Sequence, residues 1–306
     1  MSALVVADKV GAWYGQVVGL SELTLEIAGG LTGLVGPNGA GKSTFLKLVA
    51  GEMRPARGSI HVLGFAPFAN RDYFRRVGFC PQQEAIWDDM TGLEAVTFLM
   101  RLHGYVPAEA KRRANAALDR VGLGDPRSRR IEGYSKGMRQ RTKLAQAIAH
   151  DPELVIADEP LNGLDPVGRA EIQALFAELG RSGAHVLVSS HVLHEVEALT
   201  ERIVLFHRGR LLAQGPVGEV RKLLSRHPRR VEIRARDTRR LATALIALEP
   251  VQSVRIEPGN RIAVETGDVE RFFGELTGIA ASGNFGLQSL ESRDASLEAV
   301  FDYLVG

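Results

Sequence analysis

Between residues 4 and 27 apolar and polar positions alternate, with Val5, Val10, Leu23, Leu25 and Ile27 falling on one side. A period of two is that of strands with one buried face, and strands are predicted there. The pattern then tightens. Leu31–Val35 (LTGLV) is short and apolar throughout, as a fully buried strand is, and after a glycine-rich stretch Phe45–Val49 resumes with the spacing of a helix. GSIHVLG (58–64), VGFCPQQ (77–83), ELVIADEP (153–160) and HVLVSSH (185–191) read as further strands. Helices are predicted from the capping box Thr91/Glu94 through TGLEAVTFLMRLHG, from Pro107 through 123, from the Tyr134–Arg141 region into TKLAQAIAH, and from Pro166 to about Leu179.

The last 77 or so residues form a second pattern. RVEIRAR, VQSVRIEP, NRIAVET and LQSLES alternate as strands, while TRRLATALIAL, VERFFGELTGI and SLEAVFDYLVG have helical spacing. The organisation predicted is a first domain over 1–224, with a helical insert at about 84–150, and a small α/β domain over 230–306. Ser225–Arg230 (SRHPRR) is the expected linker. The region is locally basic, from Arg221 to Arg240, which suits either a solvated surface or contact with anionic headgroups.

Chemistry enters at Gly36–Thr44, GPNGAGKST, set between a strand and a helix. Gly36, Gly39 and Gly41 let the backbone bend so that its N–H groups point at phosphate oxygens, with Pro37, Asn38 and Ala40 completing the loop. The helix beginning at Lys42 adds the positive end of its dipole. Lys42 reaches the β- and γ-phosphates, the Ser43 hydroxyl suits Mg²⁺, and Thr44 closes the motif. The strand at 153–160 ends in two adjacent carboxylates, the expected partners of such a loop: Asp158 for the Mg²⁺ shell and Glu159 to orient or deprotonate an attacking water. Another predicted strand delivers His191 to its end, and in a parallel sheet such ends gather along one edge. Gln82 sits in the turn after a strand. Trp13 and Tyr14, before the loop, each suit either the core or stacking on a purine.

Composition narrows the picture. The 306 residues carry 38 basic and 36 acidic side chains, a net charge of +2, which gives no global reason to expect nucleic acid. Cys80 is the single cysteine, so no intramolecular disulfide forms; a small buried hydrophobe is its plainer reading. No apolar run approaches the roughly 18–20 residues of a spanning helix, and MSALVVADKV does not read as a signal peptide. A cytoplasmic location is expected. His185, His194 and His207 lack metal-ligand spacing and read as structural or exposed.

In order and spacing these motifs resemble the ATPase subunits of ATP-binding cassette (ABC) transporters, over about residues 3–220. Gly36–Thr44 resembles the Walker A loop, LVIADEP the Walker B strand, Asn162–Asp165 the D-loop, Gln82 the Q-loop and Ser190-His191 the switch histidine. Tyr14 takes the place of the adenine-stacking aromatic. YSKGM is a divergent signature motif that keeps Ser135 and Gly137 but departs from the commoner LSGGQ at Tyr134, Lys136 and Met138. The resemblance implies a P-loop NTPase with a RecA-like core, an antiparallel β subdomain and a helical subdomain, plus the C-terminal α/β domain. It implies ATP and Mg²⁺ as cofactors, with Ser43, Gln82 and Asp158 toward the metal and Glu159 and His191 catalytic. Ser135 and Gly137 would contact the ATP of the other subunit of a homodimer. A separate integral-membrane permease would hold the protein at the cytoplasmic face of the membrane. The SKGM-type signature and closing SLEAVF are similar to those of drug and antibiotic-resistance exporters. A soluble cassette acting on nucleic acid or ribosomes is the alternative, though such chains usually carry two cassettes or a long coiled-coil insert.

Overall fold

The computed structural model describes residues 3–83, 86–220, 229–283 and 285–292. By its contacts the chain divides into two units, Met1–Val217 and Gly218–Gly306.

The alternating N-terminal residues form β1 (Ala3–Tyr14) and β2 (Val17–Ala28), paired antiparallel, with β4 (Arg57–Val62) on the other side of β1. The five positions expected to face inward are all buried. Gly15, at φ 61°, opens the two-residue turn between β1 and β2, a conformation that glycine adopts without strain. The hairpin tip thereby presents Tyr14, Val17 and Val18 together.

A six-stranded sheet runs in the order β5 (Val77–Cys80), β6 (Leu154–Ala157), β7 (His185–Ser190), β3 (Leu31–Val35), β8 (Arg202–His207) and β9 (Arg210–Pro216). All neighbours are parallel except β8 and β9. Buried on both faces, β3, β6 and β7 are the near-continuous apolar runs that a covered parallel sheet requires. Register sets where the loops emerge. Cys80 lies opposite Ala157, Ala157 opposite Val188, and Val35 opposite Ser190. Residues after the ends of β3, β5, β6 and β7 therefore come out along one edge.

Helices α1 (Lys42–Ala50), α6 (Pro166–Arg181) and the short α2 (Arg71–Phe74) and α7 (Leu193–Glu197) connect the strands. The predicted insert folds as α3 (Gly92–Leu102), α4 (Pro107–Arg120) and α5 (Lys136–Ile148), with two 3₁₀ turns between α4 and α5. The Thr91/Glu94 capping box forms reciprocally. Ala110, Ala114, Ala117 and Leu118 bury one face of α4 at helical spacing.

The second unit contains β10 (Arg229–Ala235), α8 (Thr238–Ile246), β11 (Val251–Glu257), β12 (Arg261–Thr266), α9 (Val269–Gly283) and β13 (Leu287–Ser292). Its antiparallel order β11-β12-β10-β13 is the ferredoxin-like βαββαβ arrangement. Val231, Ile233, Ile262, Val264, Leu245 and Phe272 make its core. Arg229, expected in the linker, belongs to β10, as does Arg230, which the expected linker shared with the predicted strand RVEIRAR: alternation of Val231 and Ile233 into the core extends the strand back through both. Residues 225–228 and the predicted helix SLEAVFDYLVG lie outside the described residues.

Candidate active site

The loop after β3 is shaped by its glycines. A Cβ on Gly36 would stand 2.3 Å from the Phe206 carbonyl oxygen, so that position accepts no side chain. Gly41, at φ 103°, caps α1 with no side-chain hydrogen bond, leaving the first-turn N–H groups for an anion. Outside the loop, Gly209 at the β8–β9 turn donates its N–H to the Ala40 carbonyl (2.9 Å) and fixes the loop from behind. Phe45 and Phe206, both fully buried and 5.3 Å apart, lock α1 against the sheet.

Lys42 is 5% exposed. Its Nζ donates to the carbonyls of Gly36 (2.6 Å) and Pro37 (3.2 Å) and lies 3.6 Å from Glu159 Oε1. A lysine so deeply buried keeps its charge only where acceptors and a counter-charge meet it, and both are present.

Asp158 and Glu159 follow β6 at the shared edge, each at most 5% exposed. Ser189 ties them together. Its hydroxyl donates to Asp158 Oδ1 (2.6 Å) and accepts the Glu159 N–H (2.8 Å). Glu159 occupies the left-handed region at φ 50°, a costly conformation for a residue with a side chain and one concentrated at working sites. Its Oε2 lies 2.9 Å from His191 Nδ1 and 3.4 Å from Asn162 Nδ2. His191 is itself held at the end of β7. The Ser190 hydroxyl donates to Glu195 Oε2 (2.7 Å) and accepts the Val192 N–H (3.0 Å), and Arg169 donates to the other Glu195 oxygen (2.8 Å).

A cavity of about 360 Å³ lies in front of this edge, bounded by Tyr14, Val17 and Val18, by the loop from Asn38 to Thr44, and by Gln82 and Glu159. Tyr14 is 46% exposed there, whereas the Trp13 ring packs over Gly11 and under the Arg57 guanidinium. Of the two aromatics, Tyr14 faces the cavity. One end of the cavity is thus aromatic and aliphatic and the other polar and cationic, matching a heterocycle joined to phosphates.

Ser135 and Gly137 do not line the cavity. Ser135 caps α5, accepting the Met138 N–H at 3.2 Å, and is exposed. Gly137 packs near the Gly163 carbonyl, and the Lys136 side chain lies across Gly163 in its own chain. Sequence reasoning missed Val17, Val18, Ser189 and Glu195. The first two carry no motif, the Ser189 hydroxyl acts through the end of a neighbouring strand distant in sequence, and Glu195 acts only through Ser190 and Arg169. Cys80 is fully buried and its thiol is pushed up to about 12, first by burial, so it is an inert core group. Among the described residues no cluster of three or more His, Cys, Asp or Glu suits a metal.

A family model described as ABC transporter matches residues 20–162. The chain is 38% identical over 216 residues to an uncharacterised ABC transporter ATP-binding protein of Synechocystis sp., a match covering 69% of this chain and 61% of that protein, less than two thirds of its length. It is 31% identical over 306 residues to the daunorubicin resistance ATP-binding protein DrrA3 of Streptomyces coeruleorubidus, covering 99% of this chain and 96% of that one. A solved ATP-binding subunit of an ABC transporter superposes with a TM-score of 0.65 at 29% identity, covering 72% of this chain and 92% of the other. With the phosphate loop, paired acids and histidine meeting at one sheet edge, these likenesses show that the chain belongs to the ABC transporter family and is built on its ATPase cassette.

Proposed function

We propose that the protein binds and hydrolyses ATP as one half of a homodimer and drives a separate membrane permease, in the direction of export. The observation carrying the hydrolytic reading is the convergence of Lys42, Glu159 and His191 within hydrogen-bonding or ion-pair reach of one another, with Lys42 and Glu159 lining the cavity and His191 reaching it through Glu159. The adenine stacks on Tyr14 beside Val17 and Val18, and the loop N–H groups and Lys42 hold the phosphates. The Ser43 hydroxyl, Asp158 carboxylate and Gln82 amide are hard oxygen donors of the kind Mg²⁺ takes, with room left for waters and phosphate oxygens. When bound, the ion neutralises charge on the β- and γ-phosphates. Glu159 accepts a proton from the attacking water, and His191 fixes the orientation of its carboxylate. Lys42, beside the same carboxylate, stabilises charge that develops on the γ-phosphoryl oxygens.

Ser135, exposed at the start of α5, and the half-buried Gly137 do not line the chain's own cavity and are available to the γ-phosphate of a partner's ATP. Closure then depends on a phosphate contacted from both sides, and hydrolysis removes those contacts. The surface near Gln82 and α3 suits the permease: Trp87 and Phe98 are each 42% exposed and meet edge to face at 5.5 Å. Among the described residues no helix is long and apolar enough to cross a membrane, so a transport role needs such a partner. Export rests on likeness to resistance proteins such as DrrA3. The cavity is lined by residues between Tyr14 and Glu159, and the role of the C-terminal unit in this reading is to strengthen the dimer by raising the local concentration of one cassette at the other.

Sedimentation of Glu159→Gln protein tests the composite site. ATP should convert it to a dimer, and adding Ser135→Arg should leave it monomeric with ATP still bound. A double variant that dimerises with ATP would remove Ser135 from the interface. Isolation of the protein from membranes with an integral-membrane partner, rather than with nucleic acid, tests the transport reading.

A further inference from the structure

Helix α5 carries a polar stripe that runs from its exposed start into the core. Lys136, Gln140 and Lys143 recur at i, i+4 and i+7, which places them on one face, with Lys136 exposed and Gln140 and Lys143 buried. Core positions of this spacing are ordinarily apolar, and a lysine there needs a reason. Lys143 is 2% exposed, and its Nζ donates to three successive carbonyls, those of Pro81 (2.8 Å), Gln82 (3.2 Å) and Gln83 (3.3 Å). One turn earlier, Gln140, 6% exposed, directs its amide at the Cys80 sulfur, 3.7 Å away. Both side chains engage the end of β5 and the turn after it, the segment that positions Gln82.

Desolvating an ammonium costs several kcal/mol, and an apolar residue of similar volume would pack there without that cost. What the lysine adds is a three-point hold on a turn whose backbone would otherwise need other donors. The place of Gln82 makes that hold consequential. Gln82 lines the nucleotide cavity, and it also lines a second polar cavity of about 190 Å³ bounded by Lys136, Gln140, Lys143, Glu159 and Asn162. With Glu159 it is common to both linings, so where the turn holds its backbone decides which cavity its amide serves.

We propose that Lys143 is a positioning residue that ties the Gln82 turn to the helix begun by Ser135, so that the Gln82 amide is presented to the nucleotide cavity only while α5 holds it there. Ser135 and Lys143 lie on one rigid helix, two turns apart. A shift of α5 on meeting a partner's nucleotide is carried by Lys143 to the Gln82 turn of the same chain. The inference rests on the reading of Gln82 as part of the Mg-ATP site.

The test is a double-mutant cycle in the full chain, with steady-state ATPase rates and ATP dissociation constants for Gln82→Ala, Lys143→Met and the pair. Lys143→Met should lower kcat by about tenfold and leave the dissociation constant within about twofold of the parent value, since the phosphate loop is untouched. The double variant should be no slower than Gln82→Ala alone. Losses that multiply, a parental kcat for Lys143→Met, or weakened ATP binding in step with the lost rate would each overturn the proposal in favour of a packing role. If Lys143→Met does not fold, Lys143→Gln, which retains neutral N–H donors, replaces it in the same cycle. Gln82→Ala protein with a parental rate would instead sink the assignment of Gln82, and the inference with it.

Discussion

The two units spend charge in opposite ways. At the edge of the parallel sheet Lys42, Asp158 and Glu159 are nearly sealed from solvent, and each is held by named partners: two carbonyls, the Ser189 hydroxyl and His191. In the C-terminal unit the charges lie mainly in partly exposed pairs on the sheet, such as Arg255–Glu265 and Arg230–Glu257, over an apolar core that faces the helices. Ion pairs of the second kind are worth little, because water and salt screen them. The first kind is costly to assemble and loses most when one member is removed. Among the described residues buried charge is thus concentrated in the first unit, at Lys42, Lys143, Asp158, Glu159 and Glu195, with Glu232 its one instance in the second, whereas ion pairs occur in both.

The largest expected effect lies at Glu159. Glu159→Gln keeps the shape while removing the charge, and should lower the ATPase rate by about 10²–10⁴-fold with ATP binding retained. A rate near that of the parent protein would end the contrast. Phe272→Ala probes the other unit. Phe272 is fully buried, and its loss should cost about 3–5 kcal/mol in the denaturation transition of that unit. Equilibrium titration should find ATP affinity unchanged; a parallel loss of affinity would mean that the cassette depends on the second unit for its fold.

A buried titratable group away from the nucleotide gives an intermediate effect. His150 stacks on His103 with ring centres 4.2 Å apart and is pushed down to about 4, chiefly by burial and then by His103, while its contact with the Val77 carbonyl and Asp151 oppose the shift. Above about pH 6.5 it is neutral in both folded and unfolded chains, so the stability linked to it is fully present. As pH falls from there toward 4, the unfolded chain takes up a proton that the folded one refuses. Stability should drop by up to about 3 kcal/mol over that window. Urea denaturation across the window should show a shallower fall for His150→Gln, and an identical slope would exclude His150 as the cause. The smallest effect is expected at Glu265→Gln, which loosens contacts to Ser253 and Arg255 on the sheet face. A loss under about 1 kcal/mol and an unchanged ATPase rate are expected. A larger loss would place this surface among the sites where charge matters.

Much of the fold and the site is legible in the residues alone. Period-two alternation marks β1 and β2, the Thr91/Glu94 box marks the start of α3, and the order of phosphate loop, paired acids and histidine marks the family. These signals are local: they depend on neighbours within one turn or one strand, or on a loop whose backbone must accept phosphate. The end of the linker is not legible, because alternation into the core carries β10 back beyond the predicted strand to Arg229, where basic residues alone suggest a solvated segment.

What the sequence alone determined is the set of chemical groups and the strand ends that deliver them, since strand, turn and helix preferences act over a few residues. The tertiary structure decided which groups meet. Cross-strand register placed Cys80, Ala157, Val35 and Ser190 at one edge, and so brought Lys42 beside Glu159 across more than a hundred residues of chain. Packing chose Tyr14 over Trp13, because Trp13 is taken up by Gly11 and Arg57. Only the seating of α5 against β5 turned Lys143 from one more base in a helix into a clasp on the Gln82 turn. Such contacts arise from close packing of whole elements, which no local pattern encodes.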